Sequence, residues 1–517
     1  MITTSVRAGF VTVALVLGGL AATPAQADDL PTDECPAGYR ADFNGDGFAD
    51  SVVADPYATV AGHTQAGRLV VLYGDADGRV GEGAREVLTQ GADAIGGGPE
   101  TGDRFGFALS VADIDCDGFT DVVVGTPYED LGSTVDSGWV QIVWGAASGL
   151  GTGGVARGVS KRDFGAPIRA NDQFGYAVDT QEDWTDGATG APNAYVLAIG
   201  SPGSDVNGHD DAGWVGVETA VDGGSNRFSV TQDTPGVAGA AEAGDRFGAA
   251  VAVGQFRGAT GTIDVAVGSP NEDVGSVTDA GSVTIVQDIY DEPTGAAYDQ
   301  NSPGVPGVAE AGDRFGRSLA DIRVASTSHL AVGVPGEDIG SARNAGSVQL
   351  FTATGVPLNT LSPRTGLTQN TAGVSGVAES GDLFGDRLAF APPTTGDRVT
   401  RLVVGVPGED AAAADSGLVQ VFPITNLDDE TTLRQDSSGV PGAVDAGDRF
   451  GASLAVVTGP TEKALLVGVP DDVDHPGGMV NVIPFSGGFE RRAWVPGQGG
   501  VPAGGSRFGA TLASAGR

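Results

Sequence analysis

The chain has 517 residues, with 67 acidic against 28 basic side chains and a formal charge of −39. That balance argues against nucleic acid or an anionic membrane as partner, since both need clustered Lys and Arg, and it favours cations. With 85 glycines and 6% aromatics but 40% hydrophobic residues, the chain is turn-rich yet keeps enough Val, Ala and Leu to build a sheet core.

At the start, Arg7 precedes the apolar stretch AGFVTVALVLGGLAA, and Ala25-Gln26-Ala27 supplies a small-x-small cleavage pattern. Residues 1–27 therefore read as a secretory signal, with a secreted, extracellular product beginning near Asp28. The apolar run is too short to span a bilayer comfortably, and no second run of that kind follows. Asp28, not Cys, follows the cleavage site, so no lipid anchor is expected. The two cysteines, Cys35 and Cys116, suit one disulfide in an oxidising compartment.

From residue 28 onward two motifs alternate. A Phe-Gly step recurs at Phe105, Phe174, Phe247, Phe315, Phe384, Phe450 and Phe508, and a proline after a Val-rich run at Pro56, Pro127, Pro202, Pro270, Pro335, Pro407 and Pro470. The first Pro has no Phe-Gly before it, and the last Phe-Gly has no Pro after it. A period near 70 residues means a supersecondary unit that cannot bury its own core. Within one unit FALSVAD, DVVVGTP and GWVQIVWG read as consecutive antiparallel strands, and EVLTQ as the kind of outer strand that completes four. Seven such units over residues 28–517 predict an all-β fold, a seven-bladed β-propeller of four-stranded blades. The split repeat predicts closure by the C-terminal strand, with the segment around Arg507-Phe508-Gly509 pairing with the strand that leads to Pro56.

Two loops carry a metal pattern: Asp42, Asn44, Asp46, Phe48 and Asp50, and Asp113, Asp115, Asp117, Phe119 and Asp121. Side-chain oxygens at positions 1, 3, 5 and 9, a backbone carbonyl at 7 (Phe48, Phe119) and Gly at 6 suit calcium, which takes six to eight oxygens. Val53 and Val124 stand where a helix-loop-helix calcium site needs Glu, so these loops join strands. The combination GDRFG, DxDxDGxxD and VGxP resembles the FG-GAP repeat, and the chain after the signal resembles the amino-terminal propeller of integrin α subunits. The resemblance implies calcium in loops on one face and adhesion or ligand binding, with a protein or glycan ligand, at the other. Later units depart from it: the fourth keeps only Asp264, and RVASTSHLAVG in the fifth has no ligand set. No Arg-Gly-Asp, inserted ligand domain or membrane stalk occurs, so integrin-type signalling is not expected.

An acidic step follows each later proline, as in Glu129-Asp130 and Glu272-Asp273, and Asp-Arg precedes most Phe-Gly steps, as in Asp103-Arg104 and Asp313-Arg314. Two readings follow: a carboxylate ring around the channel, or, favoured by the matching stoichiometry, pairing of each acidic step with an Arg at the blade interface. The four histidines, His63, His209, His329 and His475, are scattered, and neither a zinc-binding His-Glu-x-x-His nor a Gly-x-Ser-x-Gly elbow is present. Trp139 and Trp214 read as strand packing. The expectation is a secreted, monomeric, calcium-binding adhesion or ligand-binding module and not an enzyme. The alternative is a secreted propeller enzyme acting on polysaccharide, a lyase or hydrolase, marked by His, Arg and Tyr converging on one channel mouth; an even ring of repeat-equivalent residues would mark a binder.

Overall fold

The computed structural model describes residues 41–513, apart from 93, 184–193, 222–223, 257–262, 288, 290–292, 355–360, 395–396 and 487. The expected signal segment, residues 1–27, and Cys35 lie outside the described residues. Val-rich segments pair into seven four-stranded antiparallel sheets, which are the blades of the propeller. Blade two is typical: Ala108–Ala112 is innermost, followed outward by Asp121–Thr126, Trp139–Val143 and Arg157–Val159. Blades three to seven begin at Ala177, Ala250, Ser318, Arg387 and Ser453. The second strand of each blade lies between two neighbouring sheets, so Asp121–Thr126, Asp264–Ser269 and Lys463–Val469 are buried at every position. Outer strands such as Thr294–Tyr298 face solvent on one side and are polar or small. Among the described residues the only helical element is a single 3-10 turn, Lys161–Phe164.

Blade one is shared between the two ends of the chain. Its strands Ser51–Asp55, Arg68–Leu72 and Arg85–Leu88 are completed on the inside by Thr511–Leu512, with Val53 opposite Leu512 and Ala54 opposite Thr511. Thr511–Leu512 also packs on the innermost strands of blades two and seven, which closes the ring. The predicted closure is thus present, with the paired residues lying a few positions beyond Phe508. Gly509 joins in, its N–H donating to the Ala54 carbonyl at 3.2 Å, and Phe508 has a second task shared with every other Phe-Gly step of the repeat.

Each of those seven phenylalanines is fully buried, and its backbone N–H donates to a carbonyl of the preceding blade. Phe105 donates to Ala66 at 3.0 Å, Phe315 to Ala280 at 2.9 Å and Phe508 to Gly477 at 2.8 Å. The carbonyl-bearing turn ends in a glycine because the two backbones nearly touch: a Cβ on Gly67 would stand 2.2 Å from the Phe105 oxygen. The Gly after each Phe has φ between 86° and 93°, a left-handed conformation that side chains disfavour. Phe-Gly is therefore a staple that fastens one blade to the previous one. A further Phe-Gly, Phe164-Gly165, closes the 3-10 turn and starts no blade.

Candidate functional site

The strand order puts the metal-pattern loops and the Phe-Gly and Pro turns at opposite ends of the blades. In the second loop the carboxylates of Asp113, Asp115 and Asp117 bring one oxygen each to within 4.8 Å of one another. The loop is held by backbone N–H groups donating to carboxylates: Asp117 and Gly118 to Asp113 at 3.1 and 3.0 Å, and Phe119 to Asp117 at 3.0 Å. The first loop repeats the pattern, with Asp46 and Gly47 donating to Asp42 at 3.1 and 2.9 Å and Phe48 to Asp46 at 2.9 Å. The loops lie side by side. The Thr120 N–H donates to the Asp42 carbonyl at 2.9 Å, and a Cβ on Gly45 would collide with the Phe119 ring at 2.5 Å.

Position 9 has a separate task. Asp50 accepts from the N–H groups of Phe43 and Gly74 at 2.7 and 2.8 Å, and Asp121 from those of Ile114 and Gly145 at 2.8 Å each. Both are buried at the start of a second strand, and burial pushes each up to about 8, partly opposed by these bonds. Burial, with repulsion from Asp117 and Asp115, raises Asp113 to about 6. Asp264, the survivor in blade four, accepts from the Phe256 N–H at 3.0 Å. The position-9 Asp is thus a backbone anchor in its own right, which is why blade four keeps it without the other donors. The donor set of the first two loops, all hard oxygens with clustered charge, fits calcium. Cys116 takes φ 58° at position 4 of its loop and is not a free thiol; the expected pairing with Cys35 involves a residue outside those described.

The acidic steps do not behave as expected. The acid two positions after the repeat proline accepts from a buried Gln two residues past the outer strand of the preceding blade: Gln90 to Glu129 at 2.6 Å, Gln435 to Asp472 at 2.7 Å, and likewise Gln232 to Glu272, Gln300 to Glu337 and Gln369 to Glu409. Between blades two and three Lys161 replaces Gln and bonds Asp172 and Ser204, both at 2.8 Å. The second residue caps its own loop, as when Asp130 accepts from the Asp136 N–H at 2.8 Å. Among the described residues, Asp471 alone of the acidic steps meets arginines, Arg507 and, at 3.9 Å, Arg449. Burial favours the amide at the five interfaces that carry Gln, because a desolvated guanidinium costs more than an amide. Burial raises Glu129 to about 7 despite the bond from Gln90. Gln90→Leu is expected to cost about 1–3 kcal/mol by leaving a buried acceptor without its donor. The cost should be greater above pH 7, where Glu129 is ionised, than at pH 6; urea unfolding at both pH values measures it, and a pH-independent loss would refute the assignment.

Three of the arginines before Phe-Gly, Arg104, Arg246 and Arg507, stack on tyrosines at the channel mouth. Arg104 stacks on Tyr57 and Tyr128, at 5.1 and 4.5 Å from the ring centroids, Arg246 on Tyr176 at 5.6 Å, and Arg507 on Tyr57 at 5.0 Å. Phe107 packs between Tyr128 and Tyr176 at 5.7 and 5.0 Å. Beside this sector opens a cavity of about 540 Å³. The residue after Phe-Gly lines it in all seven blades, and these residues differ: Phe107, Tyr176, Ala249, Arg317, Asp386, Ala452 and Ala510. Sequence reading passed over this position. The signal available was internal: after the invariant Phe-Gly, the next residue changes from aromatic to cation to carboxylate. None of the four histidines lines the cavity. His209 is exposed, and burial lowers the strand residue His329 to about 4. Trp214 is buried edge-on to Phe164 at 5.5 Å, and Trp139 covers Gly158, confirming a packing role for both. Among the described residues no helix is long and apolar enough to cross a membrane.

Comparison with known proteins places this geometry. The FG-GAP repeat family matches residues 105–154, the first Phe-Gly staple through blade two's second and third strands. Phosphatidylinositol-glycan-specific phospholipase D of Rattus norvegicus is 34% identical over 110 residues, 21% of this chain and 13% of that protein. The protein of the same name from Dictyostelium discoideum is 27% identical over 197 residues, 35% of this chain and 17% of its own length. The chain thus matches less than a fifth of these relatives. Among solved structures, an α-L-arabinofuranosidase from Fusarium graminearum in complex with an iminosugar inhibitor covers 75% of this chain and 92% of its own, at 10% identity and a TM-score of 0.41. The expectation that the chain is not an enzyme is overturned by the two phospholipase D relatives, which are named as enzymes. Sequence match and blade architecture agree that the chain is a seven-bladed β-propeller carrying an FG-GAP repeat.

Proposed function

We propose that the chain is a secreted, calcium-stabilised propeller enzyme that hydrolyses a glycan bound at the channel mouth. The observation that carries this reading is the unevenness of the ring of residues after Phe-Gly. A ring that only binds or adheres through its symmetry would repeat one residue type; here one sector is aromatic, another carries Arg317 and Asp386, and the rest is alanine. Aromatic faces suit sugar rings, and glycoside hydrolysis uses a pair of carboxylates. Asp386, 3.0 Å from the Arg387 guanidinium, and Asp415 are the two carboxylates lining the cavity. Calcium, held by Asp42, Asn44, Asp46 and Asp50 and by Asp113, Asp115, Asp117 and Asp121, would stiffen the far end of blades one and two. It takes no part at the mouth.

The test is release of reducing ends from a panel of neutral and acidic polysaccharides. Asp386→Asn and Asp415→Asn should each lower kcat by about a hundredfold or more, the scale of a lost acid or base, without moving the melting temperature. If no polysaccharide is cleaved, or both variants cleave at the full rate, the proposal fails.

A further inference from the structure

We propose that the channel mouth selects an anionic sugar, its acidic group held by arginines and its ring packed on the Phe107 and Tyr176 side. This deepens the glycan reading and rests on it. The chain carries a formal charge of −39, yet its cavity is lined by Arg317, Arg387, Arg449 and Arg507 against Asp386 and Asp415, with Asp471 beside Arg449 and Arg507. Local charge is therefore reversed where an acidic protein would otherwise repel an anion.

Two further arginines, outside the cavity lining but stacked on tyrosines of the mouth, are poised beside it. Arg104 and Arg246 stack on tyrosine faces and each gives one N–H to a glutamine, Gln65 at 3.3 Å and Gln173 at 3.1 Å. Neither these two nor Arg317 has a carboxylate within ion-pair distance among the described residues. A guanidinium stacked on a ring keeps its in-plane N–H groups open, the edge that meets carboxylate or phosphate oxygens in a two-pronged contact. The backbone fixes where they stand: Arg104 and Arg246 take φ 58° and 59°, and their N–H groups donate to Gln65 and Asp211 carbonyls at 2.9 and 3.1 Å. A left-handed conformation at a non-glycine residue is costly and persists only where neighbours impose it. The fork is thus held in place before any ligand arrives, and the adjacent rings offer an apolar face to a sugar. Carboxylate and phosphate oxygens present the same chemistry to this fork.

Titration calorimetry of the full chain with calcium present tests the idea, using trigalacturonate, its neutral galactose counterpart and a phosphorylated trisaccharide. At least one charged sugar should bind about tenfold or more tighter than the neutral one, and the preference should shrink as salt rises from about 50 to about 500 mM. Which charged sugar wins identifies the source of the anion. Arg246→Gln and Arg317→Gln should each weaken the charged ligand about tenfold, leaving the melting temperature and neutral-sugar binding unchanged. Equal affinity for neutral and charged sugars, or no binding of either charged sugar, overturns the proposal. Charge-selective binding without cleavage would refute the hydrolase reading alone.

Discussion

A chain ending at Gly505 is expected to lose the cooperative unfolding transition of the intact protein, or to show a melting temperature lower by well over 10 °C. The loss is large because the removed segment acts at three levels. Phe508 is fully buried, and emptying such a phenylalanine site alone costs about 3–5 kcal/mol. Leu512 and Ala513 leave the same core, which also holds Val53, Ala455 and Val122 from three blades. Asp55, completely buried, loses the N–H groups of Ser506 and Arg507 that reach it at 2.7 and 3.1 Å. Together these approach the whole stability of an ordinary domain, about 5–15 kcal/mol. Breaking the ring also exposes the inner edge of blade one, and an open edge invites pairing with other chains. Differential scanning calorimetry and light scattering report both effects. An unchanged midpoint would mean that the ring stays shut without its last strand.

The architecture was legible because its devices are written in backbone chemistry. Phe-Gly recurs since only Gly fits beside the preceding blade's carbonyl turn, and Phe fills the gap between sheets. Any chain using this staple must repeat both residues at blade spacing. The offset of the first Pro and the last Phe-Gly revealed closure for the same reason. The metal-pattern loops were legible too, since the donors are contiguous and the glycine at position 6 follows from the turn.

Other features were hidden because their partners are distant or their role is not periodic. Gln90 and Glu129 are 39 residues apart and in different blades, so pairing by stoichiometry picked Arg, the stronger electrostatic partner, where burial favours an amide. The mouth was missed for the opposite reason: repeat analysis looks for what stays constant, whereas the site is built from the one position after Phe-Gly that does not. Arg317 and Asp386 were invisible to a search for shared residues, and neither bears a motif by itself.

Chelating calcium is the second large perturbation, and its size should depend on pH. In the metal-free protein burial raises Asp50 and Asp121 to about 8 and Asp113 to about 6, against about 3.9 for an unfolded Asp. The folded state thus holds these protons more tightly than the unfolded chain. Their stabilisation is complete below about pH 4 and is lost as pH rises through about 6 and then about 8. Glu272, raised to about 7 far from the loops, adds a slope of the same sign that calcium does not remove. The chelated protein should therefore melt at a lower temperature at about pH 8.5 than at about pH 5.5. Calcium should reverse most of that loss, since a bound cation favours the ionised carboxylates that protons otherwise neutralise. At a hundredfold excess over Kd each site adds about 2.7 kcal/mol. Two variants separate a residue that only binds calcium from one that also anchors the backbone. Asp115→Ala should halve the calcium response and leave the chelated melting temperature in place, whereas Asp121→Asn, which disturbs the bonds from Ile114 and Gly145, should lower it with or without calcium. Melting curves in chelator and in calcium that coincide at about pH 8.5 would mean that both loops are turns and nothing more, and that the acidic balance of the chain serves some end other than cation binding.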